Sequence, residues 1–185
     1  MSIRKYMPKD FEDVKYVCLH DMLVDPNFPR TVIEYVEYMF CRYYIEVESD
    51  NCFVVTDDND KAVGYIYGVG DYDYYQEHFS PYIDKVASLD NRRFLGEALT
   101  EMYDHAIYKK DYPAHLHIDI LPEYRSKGYG SKLIKAFCDN LKAKGTPGIM
   151  LIVGSENEGA RRFYERNGFK LLQDVPTGAA YGIKL

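Results

Sequence analysis

Apolar and polar positions alternate along this chain with two distinct periods. A short strand is predicted around residues 3–6. In PKDFEDVKYVCLHDM the apolar residues Phe11, Val14, Val17 and Cys18 fall on one side of a 3.6-residue helix, and Pro8 and Asp10 supply start signals. PRTVIEYVEYMFCRYYIEV repeats that spacing through Val32, Ile33, Val36, Met39 and Phe40. The period then drops to two, and NCFVVTDDNDKAVGYIYGVGD reads as a hairpin of strands 52–56 and 62–69 about an Asp/Asn-rich turn. The aromatic, acidic stretch DYDYYQEHFSPY resists assignment to either period. It leads into a helix over 94–108, where Leu95, Leu99, Met102 and Ala106 share a face.

The second half is more regular. HLHIDIL is a strand, and 130–144 form an amphipathic helix with Leu133, Ile134, Phe137, Cys138 and Leu141 inward and Gly145 as its stop. GIMLIV is a nearly unbroken apolar strand, the kind buried on both faces. SENEGARRFYERNGF is a helix ending at Gly168, and FKLLQDV and AAYGIKL are two closing strands. Strand, helix, strand, helix in that order implies a right-handed parallel crossover with hairpins on both sides. The expected class is α/β with a mixed central sheet. At 185 residues one domain over 1–185 is the simplest organisation, although two very small ones fit the length.

Composition narrows the function classes. A formal net charge of −6 argues against a general nucleic-acid binder and suits a cationic substrate. Cys18, Cys41, Cys52 and Cys138 include no C-x-x-C pair, so neither a zinc site nor a disulfide framework is indicated, and free thiols in a reducing cytosol are the simpler reading. No apolar run has the length of a signal peptide or a membrane span. A cytoplasmic protein without metal or membrane partner is expected.

The chemistry concentrates in LPEYRSKGYGSKLIKAF, where Arg125 and Lys127 stand beside Gly128 and Gly130 at a helix entrance that follows a strand. A helix N-terminus exposes unpaired N–H groups and the positive end of the dipole, and glycines let the backbone curl around a phosphate. The predicted ligand is a pyrophosphate; a solvated basic loop is the competing reading. Walker A fails, because its final glycine would be followed by Lys and then Ser/Thr, whereas here Ser131 precedes Lys132. The dinucleotide fingerprint fails too, lacking a glycine where Leu133 stands.

The remaining pattern, R-x-x-G-x-G at Arg125, Gly128 and Gly130, resembles the acetyl-CoA pyrophosphate loop of the GCN5-related N-acetyltransferase (GNAT) family. NEGARRFYERNGF is similar to the family's later N-x-x-A-x-x-F-Y-x-x-x-G-F signature at Asn157, Ala160, Phe163, Tyr164, Gly168 and Phe169, with room for one helix and one strand between the two motifs. The resemblance covers the last two-fifths of the chain in detail and the rest in outline. YPAHLHIDILPEYRSKGYGSKLI also looks similar to acetyltransferase-like domains related to those of some O-GlcNAc hydrolases.

The resemblance implies a single-domain fold with helices on both faces of the sheet and a splayed pair of parallel strands. It implies acetyl-CoA as cosubstrate, held by Ile120, Leu121, Arg125, Lys127, Gly128, Tyr129, Gly130, Ser131 and Asn157. Backbone groups of Ile120 and Leu121 would serve the pantetheine, one N–H facing the thioester oxygen; an ordinary buried strand fits the same side chains. Asn157 would bond the pantetheine, or it is a helix-start residue inside a Ser155–Glu158 capping box. Tyr164 sits where the family places a general acid, and equally completes an apolar stripe with Ala160 and Phe163.

An ammonium has no lone pair, so amine acetylation needs a group that removes a proton. In an ideal strand His115, His117 and Asp119 share one face, opposite Leu116, Ile118 and Ile120. Asp119 is the candidate base or amine-binding carboxylate and His117 the second; a structural, hydrogen-bonded Asp is the alternative. In GDYDYYQEHF, Asp71, Asp73 and Glu77 could attract a cation and Tyr72, Tyr74 and Tyr75 could pack around it, or the stretch is an exposed loop or oligomer contact. Segment 71–112 departs from the family outline as an insertion. The expected activity is transfer of an acetyl group to a primary amine by direct attack, with a small amine or amino sugar as acceptor. A protein lysine or N-terminus, or a non-catalytic acyl-CoA-binding module, are the alternatives, and exposed tyrosines point to a homodimer.

Overall fold

The computed structural model describes residues 1–24, 27–89, 91–154, 156–175 and 178–185. Seven strands, β1 (Ser2–Lys5), β2 (Phe53–Thr56), β3 (Ala62–Val69), β4 (Ala114–Ile120), β5 (Gly148–Val153), β6 (Lys170–Val175) and β7 (Gly178–Lys184), form one mixed sheet in the order β1-β2-β3-β4-β5-β7-β6. β4 and β5 are its parallel pair; the other neighbours run antiparallel. The parallel register is short, Ala114 opposite Ile149 and His115 opposite Met150. Beyond it, β4 stays on β3 as far as Ile120 opposite Gly64, and β5 stays on β7 as far as Val153 opposite Ala179. The two strands therefore splay, each bonded along its outer edge alone. The expected α/β class, mixed sheet and splayed parallel pair are all present.

Helices α1 (Phe11–Asp21), α2 (Arg30–Glu37), α3 (Tyr43–Glu46), α4 (Tyr72–Ser88), α5 (Arg92–Ala106), α6 (Tyr129–Ala143) and α7 (Glu158–Arg166) surround the sheet. α2 and α3 are the single helix predicted over 29–47, interrupted by a five-residue π turn, Tyr38–Arg42, which widens the coil by one residue where the Phe40 carbonyl accepts the Tyr67 hydroxyl. The stretch that resisted assignment is the N-cap and the first three turns of α4. Asp71 caps it, accepting from the Tyr74 N–H at 2.9 Å, while Tyr72, Tyr75 and Phe79 turn inward. Its period was hidden because the inward positions are mostly phenols rather than aliphatics.

On α5 the inward face differs from the expected one. Leu99 is 51% exposed, in a row with Tyr103 and Ile107, and the buried positions are Ala98, Asp104 and His105. The helix carries two rows with apolar members, and the sequence does not say which one meets the sheet.

The two faces of β4 are filled differently. Leu116 and Ile120 lie on the face of α6, whose Leu133, Ile134, Phe137 and Leu141 are buried, each worth roughly 1.5–3 kcal/mol by transfer from water. A Cβ at Gly68 would stand 2.8 Å from the Phe137 ring, so helix and strand meet as closely as glycine allows. The opposite face carries His115, His117 and Asp119 across from Val69, Tyr67 and Tyr65. Here the core is aromatic: Tyr44 stacks on Tyr67 at 5.1 Å and Tyr67 on Tyr65 at 4.2 Å.

Candidate active site

The basic loop lies at the open end of the splay. Gly128 has φ of +80°, and an added Cβ there would meet nothing within 4 Å, so the loop presents backbone to open space ahead of the fifteen-residue α6. Gly130 has another role. Its added Cβ would lie 2.9 Å from the Phe163 ring, so the second glycine of the loop motif is where the second motif packs against it. The two stretches that carry the family resemblance meet at that contact.

Not every predicted anion contact faces that opening. Arg125 turns back: its Nε donates to the Ile120 carbonyl at 2.5 Å and its Nη2 to Asp21 at 2.6 Å. Lys127 donates to the Glu123 carbonyl at 3.0 Å over the Tyr124 ring, the Tyr129 hydroxyl reaches the Met1 carbonyl at 3.4 Å, and Ser131 is exposed. What the loop offers a pyrophosphate is therefore chiefly the N–H groups at the start of α6. The Leu121 N–H is taken by the Val63 carbonyl at 3.0 Å. Since backbone groups alternate edges along a strand, Ile118 and Ile120 direct theirs toward the edge that β5 has left. The N–H of Ile120 therefore points into the gap between the two strands.

Asn157 caps α7, its carbonyl oxygen accepting from the Ala160 N–H at 3.0 Å. Ser155, the other half of the expected capping box, lies outside the described residues.

At the mouth of the splay three ionisable groups converge. Asp119 accepts a short hydrogen bond from the Tyr65 hydroxyl. Burial first, and then the charge and hydrogen bonding of Asp21, push its carboxyl well above the ordinary range, which the Tyr65 bond only partly offsets. Asp21 is the last residue of α1 and bridges to Arg125, so one carboxylate joins the loop to the candidate base. Tyr164 is half-buried and packed edge-on against Phe163 and Phe169; burial raises its phenol above the ordinary value, with Asp119 and Asp21 adding to the shift. Sequence reasoning missed Asp21, which reads as an ordinary polar position near a helix end.

His117 is drawn into the aromatic layer. Its Nε2 lies 3.0 Å from the Tyr44 hydroxyl, which lies 3.1 Å from Nε2 of His115. One hydroxyl proton cannot serve both rings, so one imidazole must carry its own proton at Nε2 and donate. Burial, helped by His105, lowers His117 to about 3, and His115 is held well below its usual value. Both rings stay neutral near neutral pH. This makes His117 a poor proton acceptor and a good positioning group for β4.

Comparison with known proteins agrees with this geometry. The acetyltransferase (GNAT) family model matches residues 16–169, and the chain belongs to that family. It is 39% identical over 83 residues to N-alpha-acetyltransferase 30 of Schizosaccharomyces pombe, 44% of this chain and 54% of that one, so it spans about half the length of that curated relative. Among solved structures it is similar to SsHAT, with a TM-score of 0.76 and 25% identity over 99% of this chain and 97% of the other. It also shares the fold of a phosphinothricin acetyltransferase from Sinorhizobium meliloti solved in complex with AcCoA, with a TM-score of 0.64, 14% identity, and 100% and 88% coverage. Among the described residues no helix is long and apolar enough to cross a membrane.

Proposed function

We propose that this chain is an acetyl-CoA-dependent N-acetyltransferase whose acceptor is the primary amine of a small molecule. The observation that carries the reading is the convergence of Asp119, Asp21 and Tyr164 at the mouth of the splay, with Asp21 also bridging to Arg125 of the loop that leads into α6. The bare backbone at Gly128 fits a pyrophosphate, and the Ile120 N–H, facing the edge that β5 has left, fits a thioester arm. Acetyl-CoA would supply the activated acyl group there. Asp119 accepts the proton of the incoming ammonium; the amine nitrogen bonds the thioester carbon, the C–S bond breaks, and the proton the nitrogen sheds as the amide forms passes to the departing sulfur, giving an amide and the thiol. The Ile120 N–H steadies the developing oxyanion. Tyr164, its phenol raised, holds its proton and hydrogen-bonds the departing sulfur. His117 positions the strand.

A second reading, acetylation of a polypeptide N-terminus, draws on the relative named N-alpha-acetyltransferase 30. A third is an acyl-CoA-binding module without turnover. Calorimetry with acetyl-CoA on the wild type and Gly128→Asp, followed by thiol release across a panel of small amines, amino sugars and N-terminal peptides, separates them. Binding lost in the variant with turnover of small amines supports the proposal; turnover of N-terminal peptides alone supports the second reading; binding without thiol release from any amine leaves the module; no binding by folded wild type overturns all three.

A further inference from the structure

The face of the sheet that carries Asp119 leads to a cavity of about 490 Å³ between the end of α1, the π turn and α5, lined among others by Met22, Tyr35, Phe40, Glu97 and Glu101. Two walls adjoin the site, one next to Asp21 and one against the positioning ring of His117. Met22 directly follows Asp21, and Phe40 packs edge-on against His117 with ring centres 5.9 Å apart. A third wall is firm: Tyr35 stacks on Phe94 of α5 at 4.3 Å. An aliphatic chain suits this lining, and its two ends would then meet different chemistry.

Four charged side chains line the cavity, and three are accounted for. Arg93 and Glu97 pair at 2.7 Å, with the Tyr35 hydroxyl 3.5 Å from Glu97, and Arg92 lies on the exposed first turn of α5. Glu101 is the exception. Among the described residues no hydrogen bond or ion pair reaches its half-buried carboxyl; burial, and then the charge of Asp104, push it up to about 8. A half-buried carboxyl with no cationic partner, set in the wall of an open cavity, favours a cation beside it.

We infer that this cavity is the acceptor site and that Glu101 selects a primary amine whose chain ends in a second positive charge, an α,ω-diamine or related dication. The reactive nitrogen lies at Asp119 and the distal cation at Glu101. This deepens the amine-acetylation reading and rests on it for the identity of the reacting end.

Calorimetry with three probes tests it: 1,5-diaminopentane, n-pentylamine and 6-aminohexanoate, each against wild type, Glu101→Gln and Glu101→Ala. The diamine is expected to bind wild type about tenfold or more tighter than pentylamine, the size of one charge-assisted hydrogen bond, with the gap closing in both variants. Equal binding of diamine and pentylamine, a gap that survives in the variants, or no binding to folded protein overturns the inference. Tightest binding by 6-aminohexanoate overturns it as well, by assigning the cavity to Arg92. Adding acetyl-CoA separates this failure from that of the transfer reading. Diamine bound through Glu101 but never acetylated sinks transfer and keeps the cavity, whereas both amines acetylated alike sinks the cavity and keeps transfer.

Discussion

The stretch from Leu121 through α7 and the aromatic layer beneath the other face of β4 fold by different means. In the first, neighbours in sequence are neighbours in function: glycines, a helix start and two short motifs that meet at Gly130 and Phe163. In the second, Tyr44 reaches His115 and His117 from 71 and 73 residues away, and between the two regions Asp21 reaches Arg125 across 104. Local motifs shape the loop and the splay, while the ionisable groups at its mouth depend on long-range burial of polar residues. The first should tolerate changes that the second does not, and the reverse.

The sharpest way to test that division is Asp119→Asn. Loss of the proton acceptor is expected to lower the amine-dependent rate by about 10² to 10⁴-fold, with acetyl-CoA affinity unchanged. Stability should move the other way. Because the folded carboxyl is raised, the native state holds its proton more tightly than the unfolded chain. Its contribution is fully present below about pH 4 and is lost as pH rises through the folded value. Asn keeps an acceptor for Tyr65 and titrates nothing, so its unfolding midpoint should equal or exceed the wild type's. A variant that loses both stability and activity would make Asp119 structural.

On the apolar face the expected pattern inverts. Phe137→Ala removes a fully buried ring over Gly68 and is expected to cost about 3–5 kcal/mol, read by denaturant unfolding, while the folded fraction keeps its rate per molecule. A large change in the rate of that fraction would break the separation of the two faces.

Much of the first region was legible because its constraints are local. A glycine at positive φ, an arginine at a helix entrance and a fixed spacing are visible in a dozen residues, and α6 and β5 follow from their periods. What those residues touch was less visible: Arg125 belongs to the motif yet its guanidinium serves Asp21 and Ile120. In the aromatic layer, alternation correctly placed His115, His117 and Asp119 on one face, but nothing local shows that Tyr44 would sit between two imidazoles. α4 and the inward face of α5 escaped for the same reason: their buried positions, Tyr72, Tyr75, Asp104 and His105, look polar until partners arrive from elsewhere.

Tyr44→Phe probes that partnership at a smaller scale. Two imidazoles lose one hydroxyl and are left with buried unpaired nitrogens, a cost of about 1–3 kcal/mol. The pH profile carries the signature. Because His117 and His105 are lowered to about 3 and 4, their neutral forms contribute stability that is present above the unfolded value near pH 6.5. It is lost as pH falls through the folded values. Unfolding free energy should therefore drop steadily from about pH 6.5 toward pH 4, and a flat profile there would mean that these rings are not buried as neutral groups.

The smallest expected effect falls on the motif side and asks whether Asn157 is more than a cap. Its side chain accepts from the Ala160 N–H, so Asn157→Ala should cost about 1 kcal/mol through the N-terminus of α7. Asn157→Ser restores a capping oxygen but offers no amide N–H. If Asn157 only caps, the Ser variant recovers both the unfolding midpoint and the acetyl-CoA affinity. If the amide also holds the pantetheine, the Ser variant recovers stability while calorimetry shows several-fold weaker acetyl-CoA binding, about the loss of one neutral hydrogen bond. The second outcome would show that even in the region governed by local rules one side chain serves the helix and the ligand together, because an amide has both an acceptor and a donor to give.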